Sequence, residues 1–197
     1  MIRVKSILAT LALAVSAAFA FSPAAIAQGT KAVVIDRVQI FTQSQAGQDI
    51  RTKIQAIEAT MQTELKPLAD TLTADGASLR TKSEGKSEQA VRADAALMAE
   101  IQAYSRKAND FERKRQIAAQ ELALTERKAL VDFNNALIPV LQQVIAETSA
   151  NIILDKSQVV YVDDATDVTQ SAITKLNAST PSVQVVRQAL PAQPAQQ

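Results

Sequence analysis

Catalysis needs side chains that ionise, attack or ligate, and this chain offers few of them. It has no histidine and no cysteine. The commonest general base, the thiol nucleophile and the usual transition-metal ligands are therefore missing. Asp163-Asp164 with Asp167 groups three carboxylates. A calcium loop needs more oxygen ligands and a turn glycine, and capping or a solvated strand end accounts for these acids. Lys156-Ser157 sets an amine beside a hydroxyl, which a turn between strands explains. The chain has four glycines and none forms a phosphate-cradling loop. No catalytic residue, metal ligand or cofactor is expected, and the chain reads as a binding or structural protein rather than an enzyme. Cations do cluster: Arg113-Lys114-Arg115, with Arg106 and Lys107 nearby, and Lys82 and Lys86 further back. They could attract anions. Asp110 and Glu112 lie among them, so a solvated helical face laced with weak pairs is the competing reading.

The start of the chain reads as an address. Arg3 and Lys5 precede an apolar run, Ile7–Ala20, and Ala25-Ile26-Ala27 is a small-x-small cleavage site. This is the pattern of a secretory signal peptide over residues 1–27, cleaved after Ala27. No later stretch is read as a bilayer span. Without Arg3 and Lys5, the 21 basic and 20 acidic residues become 19 and 20, a net charge of −1. Such a balance argues against nucleic acid as a partner. An exported chain without cysteines does not rely on disulfides. Aromatic residues make up 4% of the chain, too few for a large core, and an elongated helical form fits better.

Two long periodic segments fill the middle. Ile50, Ile54, Ile57, Met61, Leu65, Leu68, Leu72 and Leu79 recur at threes and fours, one apolar stripe on a helix over about 44–82. A second stripe runs from Leu97 through Ile101, Tyr104, Phe111, Leu130 and Phe133 to Val144, on a helix over about 87–149; its spacing slips between Phe111 and Leu130. Gly85 in SEGKSEQ marks the turn between them, with Ala74-Asp75-Gly76 the competing turn. Helices joined by a short turn run antiparallel. Pro67 and Pro139 are expected to kink them rather than end them.

The excursion closes on strands. Lys31–Asp36 is the first, with a short helical or irregular link after it. Asn151–Asp155 and Gln158–Val162 read as two more, joined by a tight reversal at Lys156-Ser157. Thr169 or Asp167 caps a last helix over about 170–176. Residues 179–197, rich in Pro, Gln and Ala, read as a disordered tail. The fold class expected is α+β, mostly α: a discontinuous β-rich body (28–43 and 150–178) carrying a long antiparallel coiled-coil hairpin (44–149). Three short strands leave open edges, and a cyclic oligomer would cover them.

KAVVIDRVQIF (31–41) and NIILDKSQVVYVDDATDVTQSAITKLN (151–177) resemble the opening and closing blocks of the periplasmic chaperones called Skp, or OmpH. The resemblance spans about 31–177, the helical part by length and pattern alone. It implies a homotrimer whose small β-rich bodies join about a threefold axis, with Val33, Val34, Ile35, Ile152, Ile153, Leu154, Val160 and Tyr161 building the trimer body. Three hairpins would enclose a cavity that holds unfolded outer-membrane β-barrel proteins in the periplasm without nucleotide. Met61, Met98, Tyr104 and Phe111 are the adaptable client contacts if they face inward, and seam core if they do not. The family's basic character, which is credited with attracting clients and lipopolysaccharide or a membrane surface, is not matched by this near-neutral chain. Lys82, Lys86, Arg113, Lys114 and Arg115 are its nearest equivalents. The rival reading is a structural or adaptor coiled coil of the envelope, with a closed seam and no affinity for unfolded chains.

Overall fold

The computed structural model describes residues 29–190; the signal peptide expected over residues 1–27 and the end of the tail, 191–197, lie outside them. From Lys31 onward the elements are β1 (Ala32–Ile35), α1 (Arg37–Gln43), α2 (Gln45–Ser83), α3 (Glu88–Ala93), α4 (Ala95–Thr148), β2 (Ile152–Asp155) and α5 (Thr169–Ser179). The link after the first strand is helical.

β1 and β2 form a parallel pair, with Ala32 opposite Ile152 and Ile35 opposite Asp155. Asn151 extends the ladder: its N–H donates to the Lys31 carbonyl at 2.8 Å, and its Oδ1 accepts from the Lys31 N–H at 3.1 Å. A parallel pair needs a long crossover, and the hairpin of α2 and α4 supplies it. On the other edge of β1, Val34 bridges Asp167 and the Val168 N–H donates to the Val34 carbonyl.

This arrangement corrects the expected third strand. Among the described residues Gln158–Val162 is not a strand. The Asp155 carboxylate accepts from the Ser157 N–H (2.9 Å) and hydroxyl (2.6 Å), which turns the chain into a 3₁₀ turn, Lys156–Gln158, rather than a hairpin. The free edge of β1 is taken by residues 167–168. Val160 and Tyr161 are left exposed.

Side chains fix the joints between elements. The Asp36 carboxylate caps α1 by accepting from the Gln39 N–H, and the Asp36 N–H donates to Thr169 Oγ1, which ties the end of β1 to the start of α5. Thr169 is therefore spent on that tie and does not cap α5; the Asp167 carboxylate accepts from the Thr169 N–H instead. Ser44 caps α2, and the neighbouring Gln45 N–H donates to Asn177 Oδ1 of α5 at 2.8 Å. At this joint Gly47 passes so close that an added Cβ would sit 1.8 Å from the Phe41 carbonyl oxygen.

The core lies at this end of the hairpin: Ile35, Ile40, Ala46, Ile50, Ala129, Phe133, Leu137, Val140, Ala172, Ile173 and Leu176. Phe41 meets Phe133 edge to face at 5.1 Å. Burying Leu176, which is fully covered, contributes roughly 1.5–3 kcal/mol.

The hairpin turns at residues 84–87, with Gly85 at φ +75°, and α2 runs unbroken through Gly76. Pro67 and Pro139 lie inside their helices. The second long helix is not continuous as expected. Asp94 breaks it, because its carboxylate accepts from the Leu97 N–H and starts a new helix. That contact, with the Lys86 ammonium second, holds the Asp94 carboxyl below its usual value.

Two glycine variants should separate. Gly47→Ala forces a backbone shift and should destabilise by about 1–3 kcal/mol. Gly76→Ala meets only ordinary contact with Tyr104 and should stabilise α2 by about 0.5–1 kcal/mol. Urea unfolding followed by circular dichroism reads both.

Candidate functional site

Burial falls off sharply away from the core. Of residues 51–120, only Met61 and Leu97 are buried. Leu65, Leu68, Leu72, Leu79, Met98, Tyr104 and Phe111 are half-buried, and Ile117 is exposed. Met61 is therefore seam core, while Met98, Tyr104 and Phe111 keep apolar surface open to solvent. Near the turn, Lys82 pairs with Glu100 (2.6 Å) and Lys107 with Asp75 (2.7 Å) across the two helices. Between these pairs Leu79, Ala103 and Tyr104 line an open cleft of about 270 Å³. The outer hairpin is thus held by exposed ion pairs and a thin seam, both weak fasteners.

The candidate anion-binding residues do not converge on one site. Lys82 and Lys86 lie near the turn, and Lys86 pairs with Asp94. Arg113 and Lys114 both pair with Asp110, and Arg115 pairs with Glu112. Lys114 and then Arg113 hold the Asp110 carboxyl below its usual range, and Arg115 does the same for Glu112. Each of the five cations already has an acidic partner in its own chain.

At the core end, Val33, Val34 and Ile35 are buried and Ile153 is half-buried. Ile152 and Leu154, two apart on β2, are exposed. Val160 and Tyr161 project fully into solvent. On α4, Val131 and Ile138 are exposed on the side away from Phe133 and Leu137, while Leu130 is exposed on the Phe133 side. Contrary to the sequence expectation, α4 contains a window long and apolar enough to cross a bilayer. That window is apolar because α4 has two apolar faces here, one in the core and one open. On the Phe133 side a surface cleft of about 400 Å³ is lined by Val38, Phe41, Leu130, Phe133 and Leu137, among others.

The tail differs most from expectation. Residues 181–190 are not disordered; they lie against α2 and α4. Val183 is buried and Val185 packs on the core. The Asp49 carboxylate accepts from the Val183 N–H (3.1 Å) and the Ser182 hydroxyl (2.8 Å), and the Lys53 ammonium donates to the Val183 carbonyl (2.8 Å). Further out, Arg187 joins both helices, to Glu64 at 2.8 Å and Glu121 at 2.7 Å. The Gln188 N–H donates to Thr125 Oγ1 at 2.9 Å. Sequence reasoning missed Glu121 and Thr125. The signal was present: Glu121, Thr125, Ala129, Phe133 and Leu137 form one i, i+4 row, and the apparent slip in the stripe is where polar and small residues make room for another segment.

A family model described as "Outer membrane protein (OmpH-like)" matches residues 31–176. The chain belongs to the OmpH-like family. Among solved structures it is similar to a protein from Caulobacter crescentus CB15 assigned as an OmpH-like outer membrane chaperone. The TM-score is 0.72 at 22% identity, covering 83% of this chain and 94% of that one. No curated protein matches significantly. The family match ends at Leu176, so the ordered segment after Ser179 lies beyond it.

The grip on that segment should depend on pH. The Lys53 hydrogen bond pulls the Asp49 carboxyl below its usual 3.8; partial burial opposes this, and Ser182 and Val183 add to the lowering. A group depressed in the folded state stabilises it above the unfolded pKa and ceases to do so as pH falls through the folded one. The protection factor of the Val183 amide should hold between about pH 7 and 5 and fall below 3.8.

Proposed function

We propose that this protein is an ATP-independent holdase of the periplasm. In this reading it binds unfolded outer-membrane β-barrel proteins between helical arms and keeps them from aggregating on the way to the outer membrane. The observation that carries the reading is the contrast between a well-packed base and arms in which only Met61 and Leu97 are buried over residues 51–120. A spacer coiled coil would close its seam along its length. Here a row of half-covered Leu, Met, Tyr and Phe side chains is kept available. An unfolded β-barrel strand carries alternating apolar residues. Weak, adaptable contacts repeated over several arms suit such clients, because each contact need not pay for ordering the whole chain. Met98, Tyr104 and Phe111 are the proposed contacts.

The same reading takes the protein as a homotrimer. The exposed apolar face of α4, the bare edge of β2 and the projecting Val160 and Tyr161 support it, since a lone two-stranded sheet is marginal in water and an open edge invites pairing. Family membership and the signal peptide read at residues 1–27 support the periplasm. We do not propose lipopolysaccharide as a partner, because the five candidate cations are already ion-paired.

Native mass spectrometry of the mature chain, alone and with a porin freshly diluted from urea, tests this. A trimer that takes up one porin and keeps it soluble is expected. A trimer that ignores the porin would move the protein to the spacer class. A monomer would remove the proposed assembly.

A further inference from the structure

We propose that residues 181–190 are a built-in occupant of a chain-binding groove, and that an extended client segment displaces them. This rests on the holdase reading and adds a place on the arm and a means of control.

The segment is extended, and its side chains alternate. Val183 and Val185 face the helices and Arg187 reaches Glu64 and Glu121, while Gln184 and Val186 are exposed. Positions i, i+2 and i+4 share a face only in an extended chain. Between Val183 and Arg187 the contacts on α2 move from Asp49 and Lys53 out to Glu64, so the segment runs from the core along the arm.

The groove reads main chain as much as side chain. Asp49 accepts from the Val183 N–H, Lys53 donates to its carbonyl, and Thr125 accepts from the Gln188 N–H. Contacts of this kind are blind to sequence. Any extended chain with apolar residues two apart offers the same groups, and a basic residue two further on meets the two carboxylates. Segments of this type are common in β-barrel strands, whose faces alternate.

The groove is also built for an occupant. Glu121 and Thr125 sit on the inward row of α4, at 9% and 1% exposure. The segment itself covers the Glu121 carboxylate, through Arg187 and the Leu190 N–H, so any segment seated there without a cation would be strongly unfavourable. Arg187 meets that need now, and an arriving basic segment would meet it afterwards. While the segment is seated, client affinity falls by the fraction of arms that are open. Arg187→Ala should therefore tighten porin binding about tenfold, the scale of one charge-assisted hydrogen bond to a buried group.

The chain has no cysteine, so a single nitroxide can be placed on the full mature protein by Gln184→Cys, with Ala178→Cys in α5 as control. The line shape at position 184 should be immobile and become mobile when urea-diluted porin is added, while position 178 stays unchanged. Porin held soluble with position 184 still immobile would overturn the proposal and leave the holdase reading intact. Porin not held would overturn the holdase reading; the groove is then judged by excess synthetic peptide spanning residues 182–190. Mobilisation of the label by that peptide supports an exchangeable groove, and a label that stays fixed overturns it. Unchanged porin affinity in Arg187→Ala, with its trimer and helix content intact, would also count against the proposal.

Discussion

The structure from Lys31 onward depends on one pairing, β1 beside β2 in parallel register. Neither strand is stable alone, and a parallel pair cannot be closed by a tight turn. The chain between them must leave and return, and α2 and α4 are that excursion. Once β1 and β2 are joined, the rest of the base follows from shared residues. Asn151 and Lys31 extend the ladder, Asp36 reaches Thr169 to hold α5 against the sheet, and Asn177 reaches back to the first turn of α2. The helix ends nearest the core are thereby fixed, while those at the turn answer only to each other.

The consequence is a gradient. Large apolar residues are concentrated where sheet, α1, α5 and the ends of α2 and α4 meet. Beyond the reach of residues 181–190, which ends near Glu64 and Glu121, α2 and α4 rely on each other for cover, and a two-helix seam buries one narrow stripe. Half-covered leucines and aromatics on an arm are a liability in a folded protein and an asset in one that must hold other unfolded chains. The segment after α5 moderates this. It covers the inner third of the arm with its own apolar alternation and ties the helices through Arg187, and the outer part stays open.

Much of this was legible in the sequence, because hydrophobic period reports burial on one neighbour directly. The helices, the turn at Gly85 and the two strands of the ladder follow from spacing and β-branching. What was not legible depends on competition between partners. Val160 and Tyr161 have strand-like composition, but Asp155 turns the chain on Ser157 and residues 167–168 take the edge of β1. Asp94 looks like one more solvated acid until its carboxylate caps α4. The polar, proline-flanked tail composition concealed Val183, Val185 and Arg187, whose order derives from Asp49, Glu64, Glu121 and Thr125 on distant parts of the chain. Where the candidate cations were concerned, the sequence already set Asp110 and Glu112 among Arg113, Lys114 and Arg115, but did not show that Lys82 meets Glu100 and Lys86 meets Asp94.

Residue-resolved native-state hydrogen exchange on the full mature chain tests the central claim, a firm base carrying loose arms, most directly. Amides of Val33–Ile35, Phe133–Val144 and Ala172–Leu176 should open only near the global unfolding free energy. Those of residues 63–83 and 98–116 should open at least about 2 kcal/mol more easily, as locally unfolding segments do. Uniform protection from Gln45 to Thr148 would contradict the account, because it would require a closed seam along the full length of the arm.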